Sequence, residues 1–208
     1  MNAPSYSFVT EWRVLGTLQE VSDILEEPAD LPRWWPSVYL EVEEVARGDE
    51  RGLGRRARLH TRGWLPYTLR WELTVTDVRA PRGFTIEAKG DLAGTGRWTF
   101  EESGAWTLVT YEWSVRAEKP LLRALSPLLR PVFAANHRWA MRKGGESLAL
   151  ELLRRRAKQA SERARIPPPP APARHAGTVL IVAAGVLFAM LGFAAAGRRR
   201  PRRRRWSR

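Results

Sequence analysis

The feature that most constrains this fold is a series of segments in which apolar and polar residues alternate. The series runs from residue 38 to residue 116, and its clearest segment is YTLRWELTV at 67–75. A period of two is typical of strands with one covered face and one face in water. Gly- and Pro-containing turns separate the segments, so short connections join successive strands. This pattern favours an antiparallel meander.

Helical spacing occurs before and after this series. Residues 18–27 are predicted to form a helix, and PADLPRWWPS then forms a short helical turn. After apolar pieces interrupted by Pro127 and Pro131, residues 132–165 are predicted to form a long amphipathic helix. Its apolar stripe consists of Phe133, His137, Ala140, Met141, Gly144, Leu148 and Leu152. The stripe is expected to cover the apolar face of the sheet, which gives an α+β domain.

Three stretches of sequence carry a resemblance to a known family. They are EVSDILEEPADLPRWWPSVYLEV, the GxWxF-like GRWTFEESGAWTLVTYEW, and NHRWAMRKGGESLALEL. Residues 5–156 resemble the START-like (SRPBCC) superfamily of polyketide cyclase/dehydrase and lipid-transport type. The resemblance implies a helix-grip fold, in which a curved antiparallel sheet wraps around a long C-terminal helix. It also implies an elongated apolar cavity for a lipid, a polyketide or a similar ligand.

The alternation predicts which side chains face the long helix, and many of them are aromatic. We expect the ligand-binding residues to be Tyr67, Leu69, Trp71, Phe84, Ile86, Trp98, Phe100, Tyr111, Trp113, His137 and Met141. Leu73 and Val109 belong to the same inward-facing set. Large rings either fill a core or line a cavity with a few polar contacts, and the sequence leaves both interpretations open.

No reaction centre is evident in the sequence. His137, Tyr111 and Tyr67 are the candidates for proton transfer if the domain is an enzyme. His137 is otherwise a core histidine, and His60 is predicted on an outer face with Arg56, Arg58 and Arg62. The chain has no Cys and no metal-binding, P-loop, dinucleotide or nucleophile-elbow motif, so neither a metal site nor a cofactor is expected.

The C-terminal quarter differs in composition from the rest of the chain. Residues 158–175 are a Pro-rich linker, and 176–197 contain no charged, amide or Pro residue. A helix of about 21 residues spans roughly 31 Å, so we expect a single transmembrane helix there. The tail 198–208 holds eight Arg residues, which favour anionic lipid headgroups.

The distribution of charge argues against a nucleic-acid-binding domain. The chain holds 35 Lys and Arg residues and 22 acidic residues, but 158–208 alone holds 12 of the basic residues and one acidic residue. Residues 1–157 are therefore close to neutral. The excess positive charge flanks the predicted membrane helix, where a bilayer explains it better than a specific nucleic acid.

These observations give two hypotheses for function. The first is a membrane-anchored domain, 1–157, that binds a hydrophobic small molecule between sheet and helix, and the second is a polyketide cyclase or dehydratase that uses the same cavity. The Arg-rich tail favours a cytoplasmic C-terminus. The N-terminal residues lack the apolar region of a signal peptide, which favours a cytoplasmic domain instead. We expect a single-pass protein of the cell membrane, with the cytoplasmic side slightly preferred for the domain.

Overall fold

The computed structural model describes residues 5–118 and 120–173, and its main element is a seven-stranded antiparallel sheet. The strands are β1 (Ser5–Leu15), β2 (Tyr39–Ala46), β3 (Arg56–Arg62), β4 (Thr68–Val78), β5 (Gly83–Gly90), β6 (Leu92–Ser103) and β7 (Trp106–Ala117). Their order across the sheet is β1-β7-β6-β5-β4-β3-β2. Strands β2 to β7 therefore form the predicted meander, and β1 joins it beside β7.

The helices lie between β1 and β2 and after β7. They are α1 (Leu18–Leu25), a 3-10 turn (Pro28–Asp30), α2 (Leu31–Trp34), α3 (Pro120–Arg156) and α4 (Ala160–Arg165). A capping box fixes the start of α1: the Glu20 N–H donates to Thr17 Oγ1 at 3.3 Å, and the Thr17 N–H donates to Glu20 Oε2 at 2.9 Å. These two bonds satisfy backbone donors that a helix start leaves without partners.

The apolar stripe of α3 packs against the sheet, as predicted. Met141, Leu148 and Leu152 are buried in one hydrophobic cluster with the inward residues of the strands. Most inward positions of β4 to β7 from Trp71 onward are buried, among them Trp71, Phe100 and Val109, whereas Val75 and Leu92 are partly buried. A curved antiparallel sheet around a long helix is the helix-grip arrangement, so this part of the predicted fold is confirmed.

The start of α3 differs from the prediction. The sequence predicts interruptions at Pro127 and Pro131, but α3 is one helix from Pro120 to Arg156. A proline inside a helix removes one backbone hydrogen bond. The other backbone bonds of a 37-residue helix, together with burial of its C-terminal stripe, outweigh that loss.

Strand β2 also differs from simple alternation. The sequence pattern puts Tyr39 on the outer face with Glu41 and Glu43. In the structure, Tyr39 pairs with Thr61 and Glu41 pairs with His60, so the register shifts by one residue between them. A bulge of this kind reverses the alternation on one side of it. Tyr39 consequently faces inward, which corrects the prediction.

A buried carboxylate joins the end of α3 to the short helices. Glu151 is only 1% exposed, and its two oxygens accept from Arg33 Nη1 and Nη2, both at 2.9 Å. Arg155 Nε donates to Oε1 at 3.0 Å. Burial raises the pKa of Glu151, but the hydrogen bonds from both arginines outweigh burial and lower its pKa overall. The pair remains ionised and fixes α2 against α3.

The predicted membrane helix at 176–197 and the Arg-rich tail at 198–208 lie outside the described residues. Within 5–118 and 120–173, no helix is both long enough and apolar enough to cross a bilayer. The first part of the predicted linker, 158–175, contains α4. Residues 166–173 follow it without regular secondary structure.

Candidate ligand-binding cavity

The space between the sheet and the helices contains two neighbouring chambers. One, which we call the α3 chamber, has a volume of about 160 Å³ and lies between β1, β4, β7 and α3. The other, the α1 chamber, has a volume of about 90 Å³ and lies between the end of α1, α2 and strands β4 to β6.

Apolar and aromatic side chains dominate the α3 chamber. Phe8 and Phe133 contribute rings from β1 and α3, and Tyr67, Leu69 and Trp113 contribute side chains from the sheet and the loop before β4. Trp71 is held in place, because its Nε1 donates to Thr61 Oγ1 at 3.0 Å. Concave surfaces of this composition, with few polar groups, are typical of small-molecule sites.

The α1 chamber has a more polar boundary. Glu26 lies at its wall and accepts from Ser22 Oγ at 2.5 Å. Burial raises the pKa of Glu26, and the Ser22 hydrogen bond partly opposes this. Arg55 lines the same chamber, and its Nη1 donates to the backbone oxygen of Glu26 at 2.7 Å. The rest of the lining is apolar and includes Phe84.

The structure places ten of the eleven expected ligand-binding residues on a chamber wall. The α3 chamber is lined by Tyr67, Leu69, Trp71, Tyr111, Trp113, His137 and Met141. The α1 chamber is lined by Trp71, Phe84, Ile86, Trp98 and Tyr111. Phe100 lines neither chamber; it is 1% exposed and packs edge-on against Phe84 with ring centroids 6.3 Å apart.

His137 faces the α3 chamber from α3. Its ring stacks on Phe8 with centroids 4.2 Å apart. Burial, with a smaller contribution from the charge of Arg138, lowers the pKa of His137 from 6.5 to about 4. Its Nε2 is buried without a hydrogen-bond partner in the described part of the chain. The imidazole is therefore neutral at pH 7 and able to accept a proton or a hydrogen bond.

Three tyrosines present hydroxyls to this interior. Burial raises the pKa of Tyr39, Tyr67 and Tyr111, and the charge of Tyr39 further raises that of Tyr111. All three hydroxyls are consequently protonated at neutral pH and can donate hydrogen bonds. No hydrogen-bond partner for them occurs among residues 5–118 and 120–173. These groups are suited to bind oxygen atoms of a largely apolar ligand.

Asn136 fixes a loop beside the α3 chamber. Its Oδ1 accepts from the backbone N–H of Trp64 at 2.9 Å and of Leu65 at 3.3 Å. A Cβ at Gly63 would overlap the Asn136 side chain, so glycine is needed where the loop approaches α3. The loop between β3 and β4 is thereby held against α3.

Sequence reasoning missed several lining residues. Trp35 lies in the turn after α2, where periodicity gives no facing direction. The sequence pattern puts Tyr39 on the outer face, because the bulge in β2 is not visible in the sequence. The pattern predicts Arg62 on the outer face with His60, but Arg62 lines the α3 chamber where β3 ends. The aromatic residues in WWPSVY were the available signal.

The outer face of β3 carries ion pairs. Arg58 contacts both Glu43 and Glu72 at 3.3 and 3.6 Å, and His60 Nδ1 lies 4.0 Å from Glu41. These contacts agree with the predicted pairing of charges across neighbouring strands. In the part of the chain that the structure describes, no group of three or more His, Asp or Glu side chains is arranged to hold a metal ion.

The fold and its apolar chambers define a ligand-cavity protein of the helix-grip class. The sequence matches the family described as polyketide cyclase / dehydrase and lipid transport over residues 7–157, and the chain belongs to this family. No curated protein matches the sequence significantly.

Two solved structures illustrate the fold. The protein TTHA0849 from Thermus thermophilus is 17% identical, with 73% of this chain and 100% of that chain covered and a TM-score of 0.59. The Zhui aromatase/cyclase from Streptomyces is 16% identical, with 74% and 98% covered and a TM-score of 0.60. At these identities the likeness shows a shared fold.

Proposed function

We propose that this chain is a membrane-anchored domain that binds a hydrophobic small molecule, of lipid or polyketide type, between its sheet and α3. The observation that carries the proposal is the pair of chambers, whose walls are largely aromatic and apolar and include His137, whose buried Nε2 has no partner within the described residues. When an apolar ligand binds there, apolar surface of both the ligand and the cavity wall is removed from water. The family to which the chain belongs supports a ligand of this kind.

The anchor in this proposal is the apolar segment 176–197, followed by the Arg-rich tail. A tether of this kind keeps the domain close to the bilayer, where a hydrophobic ligand is concentrated. Membrane fractionation of the full chain tests it. Loss of membrane association on deletion of 176–208 supports the anchor, and unchanged association overturns it. Protease accessibility in intact cells and inverted vesicles identifies the side that the domain faces.

The binding function is tested by extracting ligands from the purified full chain and identifying them by mass spectrometry. Ala140 lines the α3 chamber, so Ala140→Phe is expected to fill it and abolish co-purification of the ligand. Ala149 is exposed on the same helix, and Ala149→Phe is the matched control. Equal recovery from both variants, or an empty wild-type cavity, overturns the proposal.

A second candidate function is catalysis of polyketide cyclisation or dehydration in the same cavity. The observation that favours it is the neutral His137, whose buried Nε2 has no partner within the described residues. Such an imidazole can take a proton from a carbon next to a carbonyl, while Tyr67 and Tyr111 bind the oxygen that gains charge.

The enzyme candidate is tested by incubating the full chain with a synthetic poly-β-ketone and following loss of water by mass spectrometry. Turnover that falls at least a hundredfold in His137→Ala, and less in Tyr67→Phe and Tyr111→Phe, supports it. Unchanged turnover in all three variants, or no turnover in wild type, rejects catalysis. Neither result bears on the proposed ligand-binding function, which ligand extraction tests separately.

A further inference from the structure

Four side chains form a wall between the two chambers. Trp35, Tyr39, Trp71 and Tyr111 are the residues that line both the α1 chamber and the α3 chamber. They come from the turn after α2 and from strands β2, β4 and β7. A ligand that occupies both chambers has to pass this wall, and its middle part then lies against these four residues.

Three of the four wall residues are firmly held. Trp71 donates to Thr61 Oγ1 at 3.0 Å. The ring of Tyr111 stacks on Trp98 with centroids 3.9 Å apart. Trp35 contacts the rings of Trp12 and Trp34, at 5.7 and 5.5 Å, and packs directly over the backbone of α3. Movement of any of these would break several contacts at once.

Tyr39 is held less firmly than the other three. Its ring contacts one aromatic neighbour, Trp35, with centroids 5.1 Å apart, and its hydroxyl has no partner among residues 5–118 and 120–173. It lies at the start of β2, which is an edge strand, next to the bulge between Tyr39 and Glu41. Of the wall, Tyr39 is therefore the side chain that can change rotamer at the lowest cost.

The wall also carries two hydrogen-bond donors in apolar surroundings. The Tyr111 side chain is buried at 7% exposure, and its hydroxyl, like that of Tyr39, has no partner in the described ranges. Tyr39 and Tyr111 both border both chambers, so the two side chains lie at the same boundary. Neither hydroxyl is among the fully buried unpartnered atoms of the described residues, so both are accessible from the chambers, where a ligand oxygen accepts hydrogen bonds in apolar surroundings.

We propose that the wall is a binding position for an oxygen atom near the middle of an elongated, otherwise apolar ligand. Tyr39 changes rotamer to admit the ligand to both chambers, and then its hydroxyl and that of Tyr111 donate to this oxygen. This inference rests on the proposed ligand-binding function and specifies its ligand class. A ketone, ether or ring oxygen with an apolar arm on each side satisfies the geometry, with the larger arm in the α3 chamber.

The test compares two probes of similar length. Dibenzylideneacetone has a central carbonyl and two styryl arms, whereas diphenylhexatriene is a hydrocarbon with no oxygen. Native mass spectrometry of the full chain with an equimolar mixture gives the ratio of ketone-bound to hydrocarbon-bound protein. We expect wild type to favour the ketone, and Tyr39→Phe and Tyr111→Phe each to lower the ratio about fivefold. Hydrocarbon binding reports that each variant is folded.

Ser114→Ala is the control, because it removes an exposed hydroxyl from β7, the strand that carries Tyr111, and Ser114 lines neither chamber. Its ratio is expected to equal that of wild type. An unchanged ratio in both wall variants, or an equal fall in Ser114→Ala, overturns the inference and leaves the proposed function standing. Failure of wild type to bind either probe overturns both.

A second measurement tests whether one ligand spans both chambers. Benzylideneacetone has a single styryl arm, so up to two molecules are expected to bind one chain. One molecule of dibenzylideneacetone is expected to displace both of them. Displacement of only one short probe by the long probe would show that the wall stays closed, which overturns the spanning arrangement.

Discussion

Gly144 lies directly under the indole of Trp35. A Cβ at this position would overlap the six-membered ring of Trp35, so α3 and the turn after α2 approach as closely as they do because residue 144 has no side chain. Glycine inside a helix is unfavourable by about 1 kcal/mol relative to alanine. The close packing of Trp35, which is 2% exposed, explains why glycine occupies this position.

Gly144→Ala is therefore expected to destabilise the domain, by about 1–3 kcal/mol, because displacement of Trp35 outweighs the gain in helix propensity. The free energy of unfolding from chemical denaturation measures this. Gly145→Ala is the neighbouring control: its Cβ would lie 3.2 Å from Trp12 Cδ1, which a shift of a few tenths of an ångström relieves, and we expect a smaller loss than in Gly144→Ala. Stabilisation by both substitutions would show that a Cβ at residue 144 does not displace Trp35.

Glu151→Gln is expected to cost about 1–3 kcal/mol, because it weakens the charge-assisted hydrogen bonds from Arg33 and Arg155, whose own charges remain partly solvated. Glu43→Gln is the control at the exposed pair with Arg58, where a change of about 0–1 kcal/mol is expected. Unfolding free energies at pH 7 compare them. Similar losses in the two variants would show that the Glu151 network contributes no more than a surface pair.

The network also has a pH dependence. The folded-state pKa of Glu151 is lowered, so its stabilisation is complete above the unfolded pKa near 4.5 and is lost as pH falls below it. Glu20 behaves in the same direction, since the hydrogen bond from Arg156 lowers its pKa to about 2. Stability of wild type below pH 4.5 is expected to fall more steeply than that of Glu151→Gln. If the free energy of unfolding of the two proteins fell in parallel with pH, the lowered pKa of Glu151 in the folded state would be contradicted.

His137 affects the stability of the domain at a higher pH than Glu151 and Glu20 do. The unfolded chain binds a proton at His137 as pH falls through 6.5, whereas the folded chain does so only near pH 4. The contribution of His137 to the free energy of unfolding is therefore complete above pH 6.5. It decreases by about 3 kcal/mol in total as pH falls from 6.5 to 4. His137→Phe should remove this decrease, and His60→Gln, on the outer face, should retain it. Titration of unfolding free energy against pH measures both.

Asn136→Ala is expected to free the loop between β3 and β4, since Asn136 Oδ1 accepts from Trp64 and Leu65. Hydrogen exchange at these two amides should accelerate at least tenfold, with little change in the centre of β7. Asn136→Asp keeps an acceptor at the same position and should exchange like wild type. Equal exchange in Asn136→Ala and wild type would show that the loop is held by other contacts.

The strands and their inward faces were predictable from the sequence. In an antiparallel strand with one covered face, apolar and polar residues alternate, and this alternation shows which side chains face the core. Trp71, Trp98 and Tyr111 follow from this rule alone. Tyr39 does not, because one extra residue in β2 reverses the pattern, and a bulge depends on the partner strand. Glu151 was also unpredictable: its partner Arg33 lies 118 residues away, and the sequence around each gives no indication of the other.

The position of α3 is fixed near both ends of its packed face. Asn136 binds the loop between β3 and β4, and Glu151, about four turns further on, binds Arg33 of α2. Sliding or rotation of the helix would break both attachments together. The domain therefore has to accommodate molecules of different size by rotamer changes of wall residues, without displacement of the helix. Selectivity then depends on the shape of a few rings, and single substitutions among them are expected to change which molecule is retained.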